Sequence, residues 1–212
     1  MARMFEDGEK RCIILFGAPG SGKGTQARML LNRVHISTGL LLRRRGYDLS
    51  TAKLVSDEVV NQLVVEAIES VPYDVILDGY PRTAAQAEFI RDYLCANHID
   101  TIVIELAVRD DDMLVGRLLR RNEGRPDDVE SVIRERLEIY KRDTKPALNV
   151  LWPTFELWVV DASLREEHVH KAITRCLEGR PYLEYCPACY GDDIAKEVCA
   201  HVCDHRKVRE KK

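Results

Sequence analysis

At 212 residues, with 45% hydrophobic residues, 32% charged residues and a net charge of -3, the chain has the make-up of a soluble globular protein able to bury one substantial core. That charge balance gives no broad electrostatic attraction to nucleic acid or to an anionic membrane, and no apolar run reaches the length of a transmembrane span. The first ten residues are polar and acidic, unlike a secretory signal, and a cytoplasmic location is expected.

Taken in chain order, short apolar runs alternate with longer segments of helical period. A strand is predicted at Cys12–Phe16, then a glycine-rich turn, a helix over Gln26–Leu31 and a weak strand at His35–Ser37. Ser56-Asp57-Glu58 opens the next helix with an N-cap candidate and an acidic first turn, and Val59, Leu63, Val64 and Ala67 share its apolar face. Strands follow at Val75–Leu77, Thr101–Leu106 and Glu156–Val160, and helices at Ala84–Leu94, Asp112–Asn122, Val129–Tyr140 and Glu166–Leu177. Strands alternating with helices predict an α/β fold with a mainly parallel sheet. Of the seven cysteines, Cys12, Cys95 and Cys176 lie in apolar segments and read as core. The other four crowd into the segment after Gly179-Arg180-Pro181, where the composition changes.

The strongest local signal is Gly17-Ala18-Pro19-Gly20-Ser21-Gly22-Lys23-Gly24-Thr25, set between the first strand and the first helix. Glycines let the backbone fold closely enough for successive N–H groups to face one anion, and the helix turns its positive end toward the same point. Lys23 supplies the charged contact to β and γ phosphates, so Gly20, Ser21, Gly22, Lys23, Gly24 and Thr25 are candidate ATP-binding residues. The alternative, a turn that holds no ligand, leaves the full spacing and the lysine without a reason.

The general motif has Ser or Thr directly after the lysine, whereas here Gly24 intervenes before Thr25. In that form the run resembles the adenylate kinase family. Two further blocks agree in the same order, His35-Ile36-Ser37-Thr38-Gly39 and Leu77-Asp78-Gly79-Tyr80-Pro81-Arg82-Thr83. The resemblance extends from about Arg11 to about Leu177 and implies a P-loop kinase fold, with a five-stranded sheet flanked by helices and a short lid. It divides the chain into a polar extension (1–10), a nucleoside monophosphate kinase domain (11–178) with an acceptor segment near 37–66 and a lid near 117–136, and a Cys/His-rich tail (179–212).

What the resemblance implies for the site is specific. ATP and AMP would be the partners, with Mg²⁺ as cofactor and a monomer as the working unit. Thr38 and Gln86 would meet the AMP adenine, while Arg43 and Arg82 hold its phosphate beside Gly79. Arginine suits that task because its planar fork pairs two oxygens at once. Arg117 would stack on the donor adenine, and Arg121, Arg125 and Arg136 would close on the phosphates. Asp78, at a strand end, would order water around the metal. Lys23, Arg82, Arg121, Arg125 and Arg136 form the catalytic set, because phosphoryl transfer calls for positioning and charge compensation rather than a protein nucleophile. Arg120 and Arg134 read as solvated helix residues. Arg43 also has a solvated-helix reading, and Asp78 a turn reading.

Two features depart from the family. Leu40 stands where the turn usually continues with Asp, which removes a carboxylate from the metal's surroundings. Only nine residues separate Arg43 from Lys53, too few for a full two-helix acceptor clamp. The tail offers zinc-type ligands in Cys186, Cys189, Cys199 and Cys203, with His201 and His205 as competitors and a redox or unpaired cysteine tail as the other reading. The expected activity is ATP + AMP = 2 ADP. The alternatives are a relaxed or UMP/CMP-type kinase and, from another class, a degenerate nucleotide-binding protein whose tail docks nucleic acid or protein.

Overall fold

From Cys12 to Phe16 every residue of the first strand (β1, Arg11–Phe16) is apolar and buried, which a strand tolerates only when both faces are covered. The computed structural model, which describes residues 10–47, 55–121 and 128–178, supplies both covers. Strand β1 is the middle of a five-stranded, all-parallel sheet with β2 (Val34–Ser37), β3 (Val75–Asp78), β4 (Asp100–Ala107) and β5 (Glu156–Asp161), in the order β2-β3-β1-β4-β5.

Side-chain alternation divides the core in two. Cys12, Ile14 and Phe16 of β1, with Val75 and Leu77 of β3, face α2 (Thr38–Arg44), α3 (Asp57–Glu69) and α4 (Ala84–Ala96). Ile13, Leu15 and Ile76 face the other way, toward α1 (Lys23–Met29) and a later helix at Glu166–Leu177. A third cluster packs Ala18 of the glycine-rich turn against Leu114, Val115 and Leu118 of α5 (Asp111–Leu119) and Ile133 and Leu137 of α6 (Glu130–Ile139). These two helices are thereby fastened directly to the turn that follows β1. Asp110 caps α5, its side chain accepting the N–H groups of Asp112 and Met113.

Several expectations are corrected. The segment beginning at Thr38 is a seven-residue helix, α2, rather than a bare turn after the strand. On α3 the fully buried stripe is Val60, Leu63, Val64 and Ile68, with Val59 and Ala67 only partly covered at its flank. Cys12 and Cys176 are buried but Cys95 is exposed, because the inward stripe of α4 runs through Gln86, Ala87, Ile90 and Leu94 and the next residue points outward. Beyond α6 the chain does not stop at Tyr140. It widens into a π-helical turn over Tyr140–Thr144, tightens through a 3-10 turn at Lys145–Ala147, and continues as α7 (Leu148–Leu151) and, after β5, α8 (Glu166–Leu177). Pro146, which has no N–H to donate, sits in the tight turn. Among the described residues no helix is long and apolar enough to cross a membrane.

Ile76 is fully buried on β3 between β1 and β2. Ile76→Ala is expected to lower the unfolding free energy by about 2–5 kcal/mol, read as a reduced urea midpoint at unchanged slope.

Candidate active site

The glycine-rich turn departs from β1 through backbone angles that side chains resist: φ is 146° at Gly17, 83° at Gly20 and 95° at Gly22. A Cβ on Gly17 would lie 2.6 Å from Ser21 Oγ and 2.8 Å from the Leu106 carbonyl oxygen. The loop is closed by the Ser21 N–H donating to the Ala18 carbonyl at 3.1 Å, and Gly22 occupies the N-cap position of α1. Lys23 Nζ donates back across the loop to the carbonyls of Gly17 (2.7 Å) and Ala18 (3.0 Å).

Around this loop opens a cavity of about 970 Å³. Its wall gathers Gly20, Ser21, Gly22, Lys23, Gly24 and Thr25 with Arg43, Asp78, Gly79, Arg82, Arg117, Arg121 and Arg136, so residues from helices α1, α2, α5 and α6, strand β3 and the turns beside them meet there. Parallel register explains part of the convergence. Ser37 pairs with Asp78, and Asp78 with Leu15, so the carboxyl ends of three strands finish side by side where an open α/β sheet binds ligands.

Asp78 is the carboxylate beside the loop, and a Cβ on Gly24 would lie 3.4 Å from its Oδ2. His35 Nε2 lies 3.1 Å from the same oxygen and must be the donor, since an ionised carboxylate only accepts. Burial pushes the Asp78 pKa up, but the His35 hydrogen bond and the charges of Lys23, His35 and Arg82 outweigh it and hold the group below the usual carboxylate value. For Lys23, burial and then the repulsion of Arg82, Arg136 and Arg121 overcome the attraction of Asp78, and the pKa falls to about 8.

The arginines are held by acceptors of the protein. Arg82 Nε donates to the Gly79 carbonyl at 2.8 Å, a carbonyl that also accepts the Thr38 hydroxyl at 2.8 Å. Gly79 has φ 80°, and a Cβ there would come within 2.9 Å of Thr38 Oγ1 and 3.0 Å of Arg82 Nη2, so this position requires glycine. Arg117 donates to the carbonyls of Ala162 (2.8 Å) and Ser163 (3.2 Å) in the turn after β5. Arg121 makes a two-point pair with Asp128 at 3.0 and 2.5 Å. Gly116 of α5 lets the Arg120 side chain lie close, and Arg120 is exposed, as the solvated reading expects, while also standing at the edge of the cavity. Arg134 is a surface residue, bonded to Glu130 and Asp112.

Thr38 and Gln86 are placed differently from the rest. Both are almost wholly buried, at 3% and 2% exposure, and neither lies on the cavity wall. Gln86 Oε1 accepts the Arg82 N–H at 2.7 Å and Nε2 donates to Asp57 Oδ1 at 2.7 Å. Arg125 and the turn Asn122-Glu123-Gly124, Lys53, and the tail residues Cys186, Cys189, Cys199 and Cys203 lie outside the described residues. Among the described residues no group of three or more His, Cys, Asp or Glu is set to hold a metal ion. Sequence reasoning missed His35 and Asp57. His35 was visible in its block, but only the β2–β3 register brings it to Asp78. The Ala162 and Ser163 carbonyls that receive Arg117 carry no side-chain signal at all.

Comparison with known proteins places the chain beside adenylate kinases. The adenylate kinase family model matches residues 15–152. An adenylate kinase of Kocuria rhizophila is 37% identical over 184 aligned residues, covering 78% of this chain and 98% of that protein. One from Maricaulis maris is 38% identical over 186, with the same coverages, and adenylate kinase 1 of a Nostoc species is 37% identical over 174, covering 74% of this chain and 93% of its own length.

A polyphosphate seated at the loop would restore full charge to Lys23, so the complex holds more protons than the free site near pH 8. Triphosphate binding is therefore expected to take up a fraction of a proton close to pH 8, to lose that uptake on acidification, and to weaken as the pH rises further. Calorimetric titration in buffers of different ionisation enthalpy measures this, with Lys23→Ala as the control. Zero uptake across that range would rule it out.

Proposed function

The chain belongs to the adenylate kinase family and is a phosphotransferase acting on nucleoside monophosphates, and from that premise we propose how its own residues perform ATP + AMP = 2 ADP. The observation that carries the proposal is the convergence of Lys23, Arg43, Arg82, Arg117, Arg121 and Arg136 on one cavity beside Asp78. Negative charge on a phosphoryl group in transit spreads over its equatorial oxygens, and fixed cations around it lower the barrier without a covalent intermediate. Lys23 and the loop N–H groups hold the donor's terminal phosphates. Arg117 flanks the donor base, and Arg43 and Arg82 grip the acceptor phosphate. Arg121 and Arg136 complete the cationic shell, joined by Arg125, while Thr38 and Gln86 serve the acceptor base.

The residues fit Mg²⁺. Asp78 is kept ionised beside the loop, its oxygens are hard ligands for a small divalent cation, and the Thr25 hydroxyl lies on the same wall. When bound, the ion neutralises phosphate charge and orients the donor. Asp78 would hold it through water, and His35 keeps the Asp78 carboxylate in place. Leu40 is 43% exposed and brings no oxygen, so Asp78 bears more of that duty here than in a member with Asp at this position. The shortened segment after Arg43 leaves a trimmed acceptor clamp, and closure contributes both affinity and discrimination. Cys186, Cys189, Cys199 and Cys203 would be the zinc ligands of the tail, with His201 and His205 as competitors. The working unit is a cytoplasmic monomer.

Steady-state transfer from Mg-ATP to AMP, CMP, UMP and GMP tests the reading. AMP should be preferred, with turnover abolished in Lys23→Ala. ATP binding with no acceptor phosphorylated would replace it by a nucleotide-binding role. Leu40→Asp should raise turnover at limiting Mg²⁺, and an unchanged Mg²⁺ dependence would remove Leu40 from the account.

A further inference from the structure

Asp57 and Asn61 stand one turn apart on α3, so their side chains leave the same face of the helix. That face meets the stretch from Gly79 to Gln86. Asp57 Oδ2 accepts the Thr83 hydroxyl at 2.8 Å, Asp57 Oδ1 accepts Gln86 Nε2 at 2.7 Å, and Asn61 Oδ1 accepts the buried Tyr80 hydroxyl. Thr83 in turn caps α4, its Oγ1 accepting the Gln86 N–H at 3.1 Å. The network reaches the cavity through Tyr80 and Arg82, both of which line it.

A side-chain amide can be turned over, exchanging its donor and its acceptor, unless its neighbours forbid it. Here they do. An ionised carboxylate can only accept and a backbone N–H can only donate, so reversing Gln86 would set its carbonyl against Asp57 and its NH2 group against the Arg82 N–H. We propose that Asp57 is a positioning residue that locks the Gln86 amide in one orientation, so that the acceptor site favours a purine with a 6-amino edge over one with a 6-oxo edge. The proposal rests on the reading of Gln86 as the residue that serves the acceptor base.

Gln86 is 2% exposed and off the cavity wall, and on the reading that it serves the acceptor base, the second N–H of Nε2 and the second lone pair of Oε1 are the adjacent donor and acceptor, in fixed order, that the base would meet. Adenine presents an amino donor beside the N1 acceptor. A 6-oxo purine presents an acceptor beside an N1–H donor, the same edge with the roles exchanged. A base held in one register by its phosphate therefore matches the locked amide in the first case and opposes it twice in the second. Leaving buried polar groups opposed is how hydrogen-bonding sites reject close analogues by large factors.

AMP and IMP differ at this edge and share their sugar and phosphate, so they are the probes. The native chain should use AMP far better than IMP. In Asp57→Asn, an NH2 group replaces one acceptor where the Thr83 and Gln86 donors converge. The KM for AMP should rise about tenfold or more, the AMP-to-IMP ratio of kcat/KM should fall about tenfold, and the KM for ATP should hold. A lower melting temperature with the AMP-to-IMP ratio unchanged would reduce Asp57 to a structural role and overturn the proposal. Similar use of AMP and IMP by the native chain overturns it without any variant. Failure of the native chain to phosphorylate AMP at all overturns the adenylate kinase reading itself, and this inference with it.

Discussion

Crowding of like charge at the carboxyl edge of the sheet is the constraint that the rest of the molecule answers. Lys23, Arg43, Arg82, Arg117, Arg121 and Arg136 all reach one cavity, and burial of Lys23, joined by repulsion from Arg82, Arg136 and Arg121, depresses its pKa in spite of Asp78. The protein meets this with its own oxygens. Lys23 rests on the Gly17 and Ala18 carbonyls, Arg82 on Gly79, Arg117 on Ala162 and Ser163, and Arg121 on Asp128. The cations are thus held by fixed acceptors around the cavity, and pre-placed charges of this kind keep the cost of reorganisation during reaction low.

Holding so many cations in place demands a frame that does not give. The all-parallel sheet, covered on both faces, supplies it at the centre, and the third apolar cluster extends it to the lid helices by packing Leu114, Leu118 and Ile133 against Ala18. Arg117 is carried by α5, Arg121 lies two residues beyond its end, and Arg136 is carried by α6, so the position of these arginines depends on the same contacts that support the glycine-rich loop. On the acceptor side, α3 does comparable work through polar contacts: Asp57 and Asn61 fasten Thr83, Gln86 and Tyr80 in the loop that bears Arg82.

Much of this was legible before any coordinates. The central strands β1 and β3 appear as short apolar runs because both faces of the sheet are buried there, while the edge strand β2 gives only a weak signal, and the loop appears because phosphate binding requires glycines and a lysine at fixed spacing. Other features were not legible, for identifiable reasons. The helix at Thr38–Arg44 carries Gly39 and three consecutive leucines, a pattern without a clear helical face. Cys95 sits in an apolar segment yet faces outward, since adjoining helical positions differ by about 100° and only packing decides which one turns inward. Arg120 and Arg134 look alike as exposed helix residues, and one lines the cavity while the other joins a surface ion pair.

The sequence by itself determined the fold class, the loop that binds phosphate and the inventory of cations, because these follow from local periodicity and from motifs whose residues are contiguous. Tertiary structure alone decided which acceptor holds each cation, that His35 supports Asp78, and that Gln86 is locked between Arg82 and Asp57. Those contacts join residues far apart in the chain, and hydrogen bonds depend on the placement of individual atoms, which strand register and helix packing set and residue order does not.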